Sequence, residues 1–304
     1  MDSQARTPKV SIGVPVYNGE KYLEGCLCNL LAQSFADFEI IISDNCSTDK
    51  TRSICETIAA ADARVRYYRA EANQGATWNF NRVVELASAP YFKWAAYDDL
   101  ISPDYLTACV RILDAEPTTV IAYGATTIID GEGNELETHP DRISIQDKSP
   151  ASRFREYLYK VGLTNAIYGL MRLDTLRRTS GHVAYPGSDM VLLGEFALLG
   201  RFHEIPEIIF FRRIHAAASA QSNPSLNQLA AWFNPKHSGR LILPAWEHLR
   251  GYSAAIRRTP WGLIEKLSCF AVLLVWSRYG YRNLLREVAQ AARHKLARGV
   301  PAPQ

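Results

Sequence analysis

Three short clusters of polar and acidic residues, Val16-Tyr17-Asn18, Asp44-Asn45 and Asp98-Asp99, each follow a run of β-forming side chains. In an open α/β sheet the carboxyl ends of the strands form the crevice where ligands bind. A carboxylate or amide there can hydrogen-bond a ligand, although each one singly also serves as a helix cap or turn residue. Three in the same kind of place ask for one joint explanation, a shared ligand site. The dinucleotide-binding and P-loop sites lose their main sequence support, because no Gly-x-Gly-x-x-Gly follows the first strand and no Gly-x-x-x-x-Gly-Lys-Ser/Thr occurs. The six cysteines, Cys26, Cys28, Cys46, Cys55, Cys109 and Cys269, form neither a CxxC pair nor a zinc-wrapping Cys/His spacing. They read as buried free thiols of a reducing compartment.

The elements that must carry these clusters follow from periodicity. Apolar runs over 10–15, 38–43, 65–69, 91–95 and 120–126 read as strands, separated by helical patterns over 20–33, 50–61, 77–87 and 103–116. That rhythm predicts a Rossmann-like α/β domain with a mostly parallel central sheet flanked by helices. Ser102 is expected as N-cap of the fourth helix, with Pro103 at its first position. The stretch 131–150, rich in Gly, Asp, Glu and Pro, reads as a surface loop or flap. Helices near 152–160 and 190–199 and an extended 205–214 follow.

From about Pro224 the pattern turns helical, giving an expected division into a binding and catalytic domain over 1–222 and a helical appendage over 223–304. Residues 261–276 are densely apolar, but a membrane span needs roughly 20 such residues. Beyond them Tyr281, Leu284, Leu285, Val288, Ala292 and Leu296 recur at helical spacing, with Arg282, Arg286 and Arg293 mostly on another face. Such a basic amphipathic helix suits either an anionic membrane surface or packing on the domain or on a second subunit of a homo-oligomer.

With 304 residues, 47% hydrophobic and 21% charged, the chain is long enough for one large domain plus that appendage. A net charge of +3 argues against nucleic acid, whose binders concentrate far more Lys and Arg. The polar residues 1–9 lack a signal-peptide core, so a cytoplasmic protein, peripheral at most on the inner face of the membrane, is expected.

The segments VSIGVPVYNGEKYLEGCL, FEIIISDNCSTDKT, the NQG of Asn73 to Gly75 and YFKWAAYDDLISPDYL resemble, in order and spacing, successive motifs of the family 2 glycosyltransferases. The similarity extends over roughly 9–219. It implies a GT-A fold and an inverting, metal-dependent transfer of sugar from a nucleotide donor to a hydroxyl, and the amphipathic C-terminal segment motivates a lipid-linked or cell-envelope glycan as the acceptor. By that resemblance Tyr17 lies against the base and Asp44 accepts its ring N–H, which implies a UDP or dTDP donor. Pro15, Asn18 and Asn73 border the nucleotide.

Asp98-Asp99 resembles the family's metal motif, in which Mg²⁺ or Mn²⁺ takes carboxylate and phosphate oxygens. Ala96 stands where many members have a further carboxylate. Arg212 and His215, in Phe-Arg-Arg-Ile-His, resemble the arginine and histidine that close over the diphosphate, with His215 as a further metal ligand. Surface ion pairs are the alternative for Arg212 and Arg213.

The acceptor hydroxyl needs a base opposite the departing diphosphate, and Gly187-Ser188-Asp189-Met190 resembles the family's site for it, making Asp189 the base. The alternatives are Asp189 as a helix N-cap and Glu195 as the base or as a group orienting the acceptor. Trp232, Phe233 and Trp246 could stack on sugar rings or pack in the core. A nucleotidyltransferase is disfavoured, since residues 14–19 hold no basic glycine-rich loop. A catalytically silent nucleotide-sugar or membrane scaffold is the other rival, supported by Ala96 and opposed by the coexistence of Asp98, Asp99, Asp189 and His215.

Overall fold

A computed structural model describes residues 7–139, 143–215, 225–238 and 241–298, without the side chains of 139, 226 and 294–298. Val10–Val16 (β1), Phe38–Asp44 (β2), Val65–Arg69 (β3) and Tyr91–Trp94 (β4) form a parallel block in the order β3-β2-β1-β4. Every residue of β1 and β2 is buried, which is why both read as near-continuous apolar runs. Helices Leu23–Leu31 (α1), Thr51–Ala61 (α2) and Ala76–Leu86 (α3) make the crossovers. Val10, Ile12, Val14 and Val16 pack into one core with Leu23 and Leu27 of α1. On the opposite face, a Cβ at Gly13 would stand 2.6 Å from Val83 and 2.8 Å from Phe92, so α3 reaches the sheet only over a glycine.

The second half of the sheet is mixed. It uses Leu100–Ile101 (β5), Thr119–Ile129 (β6), Glu135–His139 (β7), Leu170–Arg172 (β8) and Arg201–Arg213 (β9), continuing from β4 as β8-β6-β9-β5 with β7 on β6. β6 and β9 run parallel, while β8, β5 and β7 pair antiparallel. These last three strands escape the sequence because two to five residues carry no readable alternation. Around them lie Tyr105–Ala115 (α4), Pro150–Lys160 (α5), a 3₁₀ turn at Asn165–Tyr168, Leu173–Arg177 (α6) and Ser188–Leu199 (α7).

Two local expectations are corrected. Ser102 does not cap α4, whose N-cap is Asp104; its hydroxyl accepts the Ile209 N–H and its own N–H donates to the Ile209 carbonyl, tying β5 to β9. The stretch over 131–150 is not a free flap. Glu135–His139 pairs with β6, and Ile143 and Ile145 are buried, Ile145 bridging to Phe202.

The C-terminal part is helical as expected: Leu226–Phe233 (α8), a 3₁₀ turn at Pro235–His237, Pro244–Arg258 (α9), Leu263–Tyr279 (α10) and Tyr281–Arg298 (α11). Tyr252, Ile256, Cys269 and Leu273 share one buried cluster with Phe154 of α5 and Leu192 and Phe196 of α7. Trp246 donates its indole N–H to the Leu284 carbonyl, and Glu287 accepts the N–H groups of Ala245 and Trp246, a carboxylate at the N-terminus of α9. No helix among the described residues is long and apolar enough to cross a membrane.

Candidate active site

The loops after β1, β2 and β3 lock into one another. Asn18, in the left-handed region at φ 53°, donates its N–H to Ser47 and accepts the Thr48 N–H. Asp44 is fully buried; it accepts the Ser47 N–H at 2.8 Å and the Tyr67 hydroxyl at 2.8 Å, and pairs with Arg69 at 3.2 Å. Asn45 donates to Asn73 and to the Gly75 carbonyl and accepts the Gln74 N–H. Gly75, at φ 87°, leaves no room for a side chain, since a Cβ would lie 2.5 Å from the Phe233 carbonyl oxygen of α8. Pro15 is buried in β1 opposite Ser43, whereas Tyr17 stands 42% exposed at the rim. The expected nucleotide residues thus converge at one end of the sheet, with Tyr17 offering a ring face and Asp44 already engaged.

The carboxylates after β4 separate. Asp98 meets His215 at the end of β9, Oδ2 to Nε2 at 2.9 Å, both side chains being mostly buried. Asp99 turns inward, accepts the Arg213 N–H at 2.8 Å and lines a small pocket with Lys93, Leu30 and Phe210. Burial, and then the charge of Asp98, holds its carboxyl well above the ordinary range. Lys93 is buried beneath, bonded to the carbonyls of Trp94 and Tyr168 and pushed down to about 8 by burial. The pair expected to act together on a cation is therefore split, Asp98 facing His215 and Asp99 fixing β9.

Among the described residues neither neighbouring arginine forms a surface ion pair. Arg213 donates to the carbonyls of Asp98, Asp130 and Gly131 and lies over the Tyr22 ring, whose centroid is 4.7 Å from that of His215. Arg212 reaches across to Asn165 at 2.8 Å and to the Leu163 carbonyl.

That contact links β9 to Asp189. The N-cap of α7 is Gly187, at φ 80°, so Asp189 lies in the first turn instead of capping it. Its Oδ2 accepts the Thr164 hydroxyl at 2.8 Å. Thr164 adopts φ 58°, a conformation that costs a β-branched residue roughly 1–2 kcal/mol. Glu195, the rival base, is 3% exposed and holds Ser180 and Arg258, fastening the loop before α7 to α9. In that loop His182 packs between Phe80 and Trp94, each ring centroid 4.9 Å away, while Asn81 both donates to its carbonyl and accepts its N–H. Burial pushes its imidazole down to about 4, and Nε2 has no hydrogen-bond partner among the described residues.

The donor set can be tested against a hard cation. Two ligands bound at right angles about 2.1 Å from Mg²⁺ stand about 3 Å apart, and Asp98 and His215 have that spacing. Among the described residues no group of three His, Cys, Asp or Glu side chains converges, so other positions would fall to phosphate and water. Sequence reasoning missed Lys93, Tyr22, Thr164 and His182. Only Lys93 carries a signal, a lysine inside an otherwise apolar strand.

A family model described as glycosyl transferase family 2 matches residues 11–173. An uncharacterised glycosyltransferase of Rickettsia typhi is 30% identical over 51% of the chain and 48% of its own length. Chondroitin synthase of Escherichia coli is 33% identical over 42% of the chain and 19% of its own length. The chain spans about half or less of the length of these relatives. Among solved structures, TarS residues 1–349 of S. aureus, 18% identical, superposes over 83% of this chain and 81% of that one with a TM-score of 0.53. A mannosyltransferase from Pyrobaculum calidifontis in complex with GDP-Man and Mn²⁺, 17% identical, superposes over 97% and 89% with a TM-score of 0.53.

Proposed function

The chain belongs to glycosyltransferase family 2 and has the GT-A fold, and from that premise we propose that it is an inverting enzyme moving a hexose from a UDP or dTDP donor to a hydroxyl of a cell-envelope glycan or glycolipid. One observation carries the reading: Arg212 and the Thr164–Asn165 corner link Asp189 to the strand end that holds His215 against Asp98. That chain of contacts supports a donor site and a base working side by side.

In this reading residues 1–222 bind the donor and catalyse, and residues 223–304 brace α7 and approach the membrane. Tyr17 supports the base of the nucleotide. Asp44 accepts its ring N–H by exchanging one internal partner, Arg69 being the most exposed of the three. Asn18, Asn73 and Pro15 shape the same wall. Asp98 and His215 would hold Mg²⁺ or Mn²⁺, which would offset the charge of the diphosphate, and Arg212 turns to the phosphates. Asp99 fixes β9 and acts on the cation only through that. Asp189 takes the acceptor's proton as the acceptor oxygen bonds to the anomeric carbon. The bond to the nucleoside diphosphate breaks on the opposite side with its electron pair, which inverts that carbon. The names of the neighbours support a nucleotide-sugar donor and a divalent cation, since TarS is described with UDP-GlcNAc and the mannosyltransferase with GDP-Man and Mn²⁺.

Calorimetric titration with UDP, dTDP, GDP and ADP, each with Mn²⁺, Mg²⁺ or chelator, tests this directly. Binding of UDP or dTDP that needs a cation is the expected result. Binding of GDP alone would reject the base assignment, and no binding of any nucleotide would favour the silent scaffold suggested by Ala96.

A further inference from the structure

α10 is largely apolar, with Glu265, Lys266 and Arg278 its charged residues, yet among the described residues it is covered on only one side. Cys269 and Leu273 are buried, and Phe270, Val272 and Trp276 pack beside them against the α5, α7 and α9 core. On the outer side Leu263, Ile264, Leu267, Leu274, Val275 and Tyr279 stand between 49% and 78% exposed. A helix apolar all round is normally enclosed, and a contiguous exposed patch of this kind marks an interaction surface. α11 prolongs it: Leu284 and Glu287 turn onto α9, leaving Tyr281, Leu285 and Val288 exposed.

Charge identifies the partner. Arg278, Arg282, Arg286 and Arg293 are exposed along the same two helices, and none has a carboxylate partner among the described residues. Glu287 is turned inward, which leaves Glu265 as the one exposed carboxylate on these two helices among the described residues. A second copy of the chain would set these arginines against one another, which a self-matching interface disfavours. An anionic lipid surface meets both the apolar stripe and the arginines.

The surface also leads to the cleft. The Tyr279 ring meets that of Tyr159, at the end of α5, with centroids 6.2 Å apart. Tyr159 and then Leu163 are exposed, and Leu163 precedes Thr164, which donates to Asp189. α5 packs on both α10 and α7, so the outer helix and the candidate base belong to one rigid stack.

We infer that α10 and α11 form a docking face for an anionic bilayer, lying in its interface and setting the Asp189 end of the cleft at the membrane, with a lipid-linked acceptor entering over Tyr159 and Leu163. The docking face stands on its own surface chemistry; only the entry route rests on the functional reading above. At 17 residues α10 lies in the interface instead of spanning.

Flotation of the full chain with phosphatidylcholine vesicles, with and without phosphatidylglycerol, tests the face. Binding is expected only with phosphatidylglycerol and should weaken in high salt. Leu267→Glu with Leu274→Glu should abolish it at unchanged melting temperature and nucleotide affinity, since both side chains already face water. Arg282→Gln and Arg286→Gln should each weaken it about fivefold. Vesicle binding that survives the double glutamate variant overturns the proposal, as does a wild-type chain that never floats. So does a concentration-dependent dimer that the same variant dissolves, which would assign the face to a second copy. Vesicle binding by a chain that binds no nucleotide would leave the docking face standing and reject only the enzymatic reading.

Discussion

The two ends of the candidate site are built differently. At the nucleotide end, loops after three parallel strands are tied together by short internal hydrogen bonds, and Asp44 has every oxygen engaged without any ligand. At the transfer end the links are fewer and more strained: Asp98 rests on one imidazole, and Asp189 accepts from a threonine at φ 58° and from its neighbour's N–H. The first end is organised by the fold, whereas in the proposed reaction the second holds carboxylates, Asp98 and Asp189, whose partners a cation or a hydroxyl would replace.

Substitutions should therefore separate rate from stability. The largest effect is expected for Asp189→Asn, which should lower kcat by about 10²–10⁴ while leaving nucleotide affinity and melting temperature unchanged. Steady-state transfer assays alongside calorimetry check this, and an active variant would move the base elsewhere. Next comes Asp98→Ala, which should cost about 10²-fold in cation-dependent nucleotide affinity, by loss of one of two protein ligands. Binding that is equal with Mn²⁺ and with chelator in the wild type would dissolve the distinction between the two ends.

Asp44→Ala should behave in the opposite way, costing about 3 kcal/mol in denaturant unfolding, because Arg69 and Tyr67 lose a buried partner. A variant as stable as wild type would show that the nucleotide end is not organised by its own bonds. The smallest effect concerns His182. Its folded-state value of about 4 lies below the ordinary 6.5, so the unfolded chain takes up the proton first on acidification. Stability present above pH 6.5 should be lost as pH falls towards 4, by on the order of 2 kcal/mol. Urea unfolding at several pH values should show the slope, and His182→Leu should flatten it.

Much of the frame was legible because local rules act there without competition. Val10–Val16 and Phe38–Asp44 are apolar over their whole length, and the polar residues after them could only stand at the strand ends. The segments that misled lie where distant partners overrule local chemistry. Ser102 and Pro103 have the composition of a helix start, but two bonds to Ile209 hold Ser102 against β9 at the end of β5. Glu195 sits on a helix face like any candidate base until Arg258, 63 residues away, takes it.

The sequence by itself determined the α/β layers and the motif order that resembles family 2, and it pointed to Tyr17, Asp44, Asn73, Asp98, Asp189, Arg212 and His215 as candidate site residues. The tertiary structure alone decided that Asp98 faces His215 while Asp99 turns to β9, and that Thr164 reaches Asp189. It also left one face of α10 uncovered. Periodicity and motif spacing report neighbours along the chain, whereas the partner of a carboxylate and the exposure of a helix face depend on segments dozens of residues apart that only packing brings together.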